Sequence, residues 1–157
     1  MRKARRVVLA GVVGGLAFAL FSMISFSLLG DSFWRPLNLV AHTFWRGAPT
    51  GGGFHLGAAV LGLVALSVAG VLLFTPFAVL AIGAGMSAPI AIVGASIYAN
   101  AVWVIGHFLI WEKLDPVAAT EFSPGVAWVA HFVAGLVGAT ALVGLDFTDF
   151  ARRPASS

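Results

Sequence analysis

FHLGAAVLGLVALSVAGVLLFTPFAVLAIGAGMSAPIAIVGASIYANAVWVIGHFLIW, residues 54–111, carries no Asp, Glu, Lys or Arg from end to end. A helix rises about 1.5 Å per residue, and a hydrocarbon core of roughly 30 Å needs about 20 apolar residues. The stretch is therefore too long for one membrane crossing and right for two. Its divider is Gly83-Ala84-Gly85-Met86-Ser87, with Pro89 in the first turn of the next helix, where a missing N–H costs nothing. Helices are predicted at about 54–82, kinked near Pro76, and at about 89–111. The run Glu112-Lys113-Leu114-Asp115-Pro116 is expected to end the second of them.

Working outward, Val7 to Leu29 is a further apolar run of crossing length. Its basic start invites a signal-peptide reading, but the run is too long for a signal-peptide core, so it is read as a retained helix at about 7–29. Ser123-Pro124 supplies an N-cap followed by proline, and the helix it opens is predicted at about 124–145. Residues 146–157 read as a polar, loose tail. The expected fold is an all-α membrane protein, four transmembrane helices in a bundle within a single membrane domain.

Composition agrees. Hydrophobic residues make up 60% of the chain and charged residues 10%, with mean hydropathy +1.00, far from soluble globular values. The absence of cysteine excludes disulfides, thiolate metal sites and haem attached through a cysteine pair. The pI of about 10.2 rests on nine Lys and Arg, too few to neutralise a nucleic-acid backbone, and nucleic acid is excluded as a partner.

Arg2, Lys3, Arg5, Arg6, Arg152 and Arg153 lie at the termini, whereas Arg35, Arg46 and Lys113 share the first and third loops with Asp31, Glu112, Asp115 and Glu121. Four crossings put both termini on one side, and the positive-inside bias makes that side cytoplasmic. Between helices one and two, residues 33–46 mix aromatic, basic and apolar residues. They are predicted to form an amphipathic segment at the membrane interface, with Trp34, Trp45 and Trp111 as interface anchors. Gly51-Gly52-Gly53 is no phosphate loop, since neither the strand nor the Lys-Ser/Thr that would define one is present.

Small residues recur at four-residue spacing: Gly11, Gly15 and Ala19; Ala58 and Gly62; Ala91, Ala95 and Ala99; Ala130, Ala134 and Gly138, with Gly135 beside them. Such stripes either dimerise helices or pack a bundle internally, and a four-span chain must first build its own interior. Tyr98 and Asn100 are read as interhelical hydrogen-bonding groups rather than a substrate site.

His55, His107 and His131 fall at similar depth near the outer ends of separate helices, and His42 lies in the loop on that side. Imidazole ligates transition metals and haem, so His55, His107 and His131 are candidate metal ligands and His107 with His131 a candidate haem pair. Proton or small-ligand handling is a third option, weakened by the lack of any carboxylate deep in a span. The structural alternative leads, because neutral histidine also ties helices together and no HxxxH or HExxH signature is present.

Residues 33–49, FWRPLNLVAHTFWRGAP, and 129–138, VAHFVAGLVG, resemble small bacterial four-helix membrane proteins that have no assigned activity. The resemblance implies a bacterial cytoplasmic (inner) membrane, and it supplies neither activity nor cofactor. The function expected from the sequence is a non-catalytic membrane component, self-associating or packed as an accessory subunit on other membrane subunits. A haem- or metal-binding protein is the alternative.

Overall fold

The computed structural model describes residues 2–151, with side chains described for 3–145. Among these residues every regular element is helical: α1 Arg2–Leu28, α2 Arg35–Phe44, α3 Leu56–Gly83, α4 Ala88–Val104, a π-helical segment Ile105–Trp111, α5 Glu112–Leu114, α6 Pro116–Glu121 and α7 Pro124–Ala151. Four stretches, Lys3–Leu28, Leu56–Gly83, Ala88–Leu114 and Pro124–Leu145, are long and apolar enough to cross a membrane. The chain is a multi-pass membrane protein.

The helix ends have local causes. α1 closes on Gly30 at φ 85°, with the Asp31 amide donating to the Phe26 carbonyl at 2.9 Å, and α3 closes on Gly85 at φ 60°, with the Met86 amide on the Ala81 carbonyl at 3.0 Å. Both are left-handed closures that glycine adopts without a Cβ penalty. α3 runs unbroken through Pro76, and the neighbouring Thr75 hydroxyl donates back to the Val71 carbonyl at 2.6 Å.

Two expected boundaries move. The third crossing runs past the expected 111 to Leu114 and ends inside the expected Glu112–Pro116 run. The break comes at Asp115, where Pro116 disfavours helical backbone in the residue before it and φ, ψ are −149°, 81°. The loose tail expected from 146 is also corrected, because α7 carries the helical backbone to Ala151. Residues 146–151 include no glycine or proline; 152–157 lie outside the described residues.

α1 is the central helix, packed along both α3 and α7, and α7 in turn packs along α4. The glycine stripes make this possible. A Cβ on Gly11 would sit 2.6 Å from Val71 Cα, one on Gly135 would sit 2.7 Å from the Ala95 carbonyl oxygen, and one on Gly138 would meet Ala10 and Phe74 at 3.3 and 3.4 Å. The small-residue seams are thus spent inside the protein, where close backbone approach replaces the hydrophobic force that lipid cannot supply.

α2 departs from expectation. Its six consecutive residues Pro36 to Ala41 are all buried, with Leu37, Leu39 and Ala41 contributing to three different apolar clusters. It packs against α1, α3 and α6 as a plug, with Phe44 at its C-terminal end exposed.

Candidate functional site

The plug is held by polar groups. The Asn38 side-chain amide donates to the carbonyls of Gly51 and Gly53 at 2.8 and 2.9 Å, so the glycine run serves as a wall that brings its backbone against a buried residue. Asp115, fully buried, caps α6 through the Ala118 amide at 3.2 Å and binds His42 Nδ1 at 2.7 Å and the Arg46 guanidinium at 2.6 Å. Arg46 also donates to the Leu114 carbonyl. Burial opposes ionisation of Asp115. The His42 hydrogen bond, the Ala118 amide and the charges of His42 and Arg46 outweigh it and hold the carboxyl below the ordinary carboxylate value. Arg35 similarly spans Asp31 and Glu121, the latter at 3.2 Å, tying α2 to α6.

His42 is therefore a latch between α2 and α6 and does not join the other histidines. His55 also stands apart. It is exposed, occupies the N-cap of α3 with Nδ1 accepting from the Ala58 amide at 3.4 Å, and packs against Trp45. Among the described residues no three His, Asp, Glu or Cys side chains converge as a metal set, which corrects the grouping of His55 with His107 and His131.

His107 and His131 do come together. Both line one cavity of about 340 Å³. Glycines and apolar residues of α1, α3, α4 and α7, among them Gly15, Leu66, Ala69, Ala99 and Ala134, form most of the wall, and Val40 and Thr43 of the plug contribute too. The cavity exists because α3 and α4 touch little. The Tyr98 hydroxyl donates to the Leu73 carbonyl at 2.9 Å and Phe77 packs on Gly94 and Tyr98. Val102 of α4 and Gly106 of the π-helical segment line the space instead, and a Cβ on Gly106 would meet nothing within 4 Å.

Trp111 links this cavity to the plug. Its indole N–H donates to the Thr43 hydroxyl at 2.7 Å and its ring packs on Phe122 and His107, so it is a half-buried tie between the two. Trp45 is 42% exposed, and Trp34 is half-buried against Phe33 and Phe54.

The two imidazoles differ in their bonding. His131 Nδ1 lies 2.7 Å from the Ala127 carbonyl one turn back, and its ring stands edge-on to Phe18. Its helical neighbour Trp128 is exposed. His107 is only 5% exposed, yet its Nδ1 is buried without a partner. Trp103 Nε1 and Asn100 Oδ1 on the same helix are likewise buried and unpartnered. Asn100 donates within its own helix, to the Ser96 carbonyl at 2.8 Å, so it is not the interhelical tie expected of it, whereas Tyr98 is. His107 sits in the π-helical segment, a rare geometry that recurs at functional sites.

No protein-family model, curated protein or solved structure matches the chain.

Proposed function

We propose that this protein is a non-catalytic membrane protein that binds a lipophilic small molecule, taken from the bilayer through the gap between α3 and α4. The observation that carries this reading is the one-sided apolar cavity of about 340 Å³ with two imidazoles in its wall. That volume lies within the usual range of ligand sites, and an apolar lining with a few polar groups is their usual chemistry. A self-association or accessory-subunit role would draw support from small-residue seams left on the outer surface. The seams formed by Gly11, Gly135 and Gly138 are spent within the fold, which favours the ligand reading.

The test uses Gly106, which lines the cavity and has open space around it. Gly106→Leu is expected to fold normally and to lose at least tenfold of any lipophile that co-purifies with the native protein, read by native mass spectrometry after gentle detergent extraction. Equal retention in the two proteins would overturn the reading. A Soret band, or stoichiometric zinc, copper or iron lost with either His107 or His131, would transfer the site to the haem or metal alternative.

In this reading the chain sits in a bacterial cytoplasmic membrane with both termini inside and the α2–α6 end outside, as the distribution of Lys and Arg argues. The native chain has no cysteine. Cysteine at exposed Thr120 should therefore react with an impermeant thiol reagent in intact cells, and cysteine at Ala4 should react only after lysis. The reverse pattern would invert the orientation.

A further inference from the structure

We infer that the ligand carries a hydroxyl head on an apolar body, an alcohol or phenol, with the hydroxyl held between His107 and His131. This rests on the cavity being a ligand site and adds the chemistry of its head group. A backbone carbonyl only accepts, so the 2.7 Å contact with Ala127 puts the proton of His131 on Nδ1. Nε2 of that ring is then left with its lone pair, an acceptor in search of a donor. His107 presents the opposite case. Its Nδ1 is sealed away without a partner, and an N–H without an acceptor is the rarer kind of buried orphan. The bonding pattern therefore assigns the His107 proton to Nε2, which makes that ring a donor.

One donor and one acceptor on the wall of an otherwise apolar cavity match a group that both accepts and donates from a single small atom. A hydroxyl does so, giving its proton to His131 and receiving one from His107. An ether or ketone only accepts, and would leave the His131 lone pair unanswered. An ionised carboxylate would bring an unpaired charge into apolar surroundings, at a cost well above that of a neutral head. The rest of the wall supports an apolar body: Phe18, Leu66 and Phe74 present only hydrocarbon.

Three probes with the same diazirine-bearing fifteen-carbon prenyl chain separate these heads: the alcohol, its methyl ether and the corresponding acid. They are added at equal membrane concentration to the full-length protein in vesicles, and photolabelling of cavity peptides is quantified. The alcohol is expected to label about threefold or more above the ether, the discrimination of one hydrogen bond inside a membrane protein, and above the acid. His131→Leu should bring the alcohol down to the ether, whereas His107→Leu should lower both heads and leave the alcohol ahead, and His107→Gln, whose amide still donates, should restore part of what His107→Leu loses. Melting of each variant without probe reports whether it is folded, and His107→Gln with His131→Gln carries the comparison if a leucine variant is not. Equal labelling by all three heads that is abolished in Gly106→Leu would overturn the hydroxyl assignment and keep the cavity as a ligand site. Labelling that Gly106→Leu leaves unchanged would overturn the ligand site itself, and preference for the acid would overturn the neutral-head assignment.

Discussion

Gly11→Leu is expected to destabilise the protein by more than about 3 kcal/mol, enough to prevent recovery of folded material from membranes. A Cβ at this position would lie 2.6 Å from Val71 Cα and 2.9 Å from both the Gly70 carbonyl oxygen and the Val71 nitrogen. All three obstacles are backbone, so no rotamer change relieves the clash and α1 must move off α3 as a body. Overpacking a tight site usually costs about 1–3 kcal/mol, with room for side chains to adjust. Here there is none, and the displaced seam includes Gly15 and Gly70, whose own close contacts belong to the same interface. Gly11→Ala should already cost about 1–3 kcal/mol. Gly144→Ala is the matched control, because its Cβ would meet nothing within 4 Å and alanine favours helix over glycine. Thermal melting in detergent, run side by side, should rank Gly144→Ala at or above the native protein and Gly11→Ala clearly below it. Equal melting for the two alanine variants would remove α1–α3 contact as the organising interface.

This seam was legible in the sequence as a stripe but not as a pairing. Gly11, Gly15 and Ala19 at four-residue spacing announce a close-packed face, yet nothing in the spacing says which helix fills it. The crossings themselves were readable because 20 apolar residues have few alternatives in water, and because Gly85 and Pro89 punctuate the second and third. The run Glu112 to Pro116 was legible as the end of the third, but its charged side chains at a membrane boundary reach solvent and leave the backbone helical as far as Leu114. Pro116 is the true stop because its ring acts on backbone conformation.

The candidate site was half legible. His107 and His131 were placed together by helix faces and depth, whereas His55 shared their depth and not their cavity, since depth fixes one coordinate of three. The plug α2 escaped for the opposite reason. Phe33 to Arg46 has the mixed character of an interfacial helix, and only tertiary packing against α3 and α6 shows that Asn38 is buried to hold the Gly51–Gly53 backbone. Asp115 did carry a usable signal. Asp followed by Pro is the same N-cap and N1 pattern that located the start of the last helix at Ser123-Pro124, and it opens α6 in the same way.

Asp115→Ala is expected to be the most damaging polar substitution, at about 3 kcal/mol. Removing one partner of a buried charge pair costs about 3–5 kcal/mol, and the lower end applies because Arg46 keeps 53% of its side chain in solvent. The loss has two parts, the cap on α6 and the latch through His42 that holds the plug, so α2 should loosen before the long helices separate. Asp115→Asn divides them. An amide still accepts from the Ala118 N–H but no longer supplies charge to His42 and Arg46, and about 1–2 kcal/mol of the loss should remain. Acid provides an independent check. The folded-state carboxyl sits below its ordinary value of 3.8, so its contribution is fully present above about pH 4 and fades as pH falls through the folded value. The stability gap between the native protein and Asp115→Asn should therefore close in strong acid, as pH falls through the folded value, measured by detergent-phase melting at each pH. A gap that persists undiminished in strong acid, or none at neutral pH, would mean that the carboxylate charge does not hold the plug.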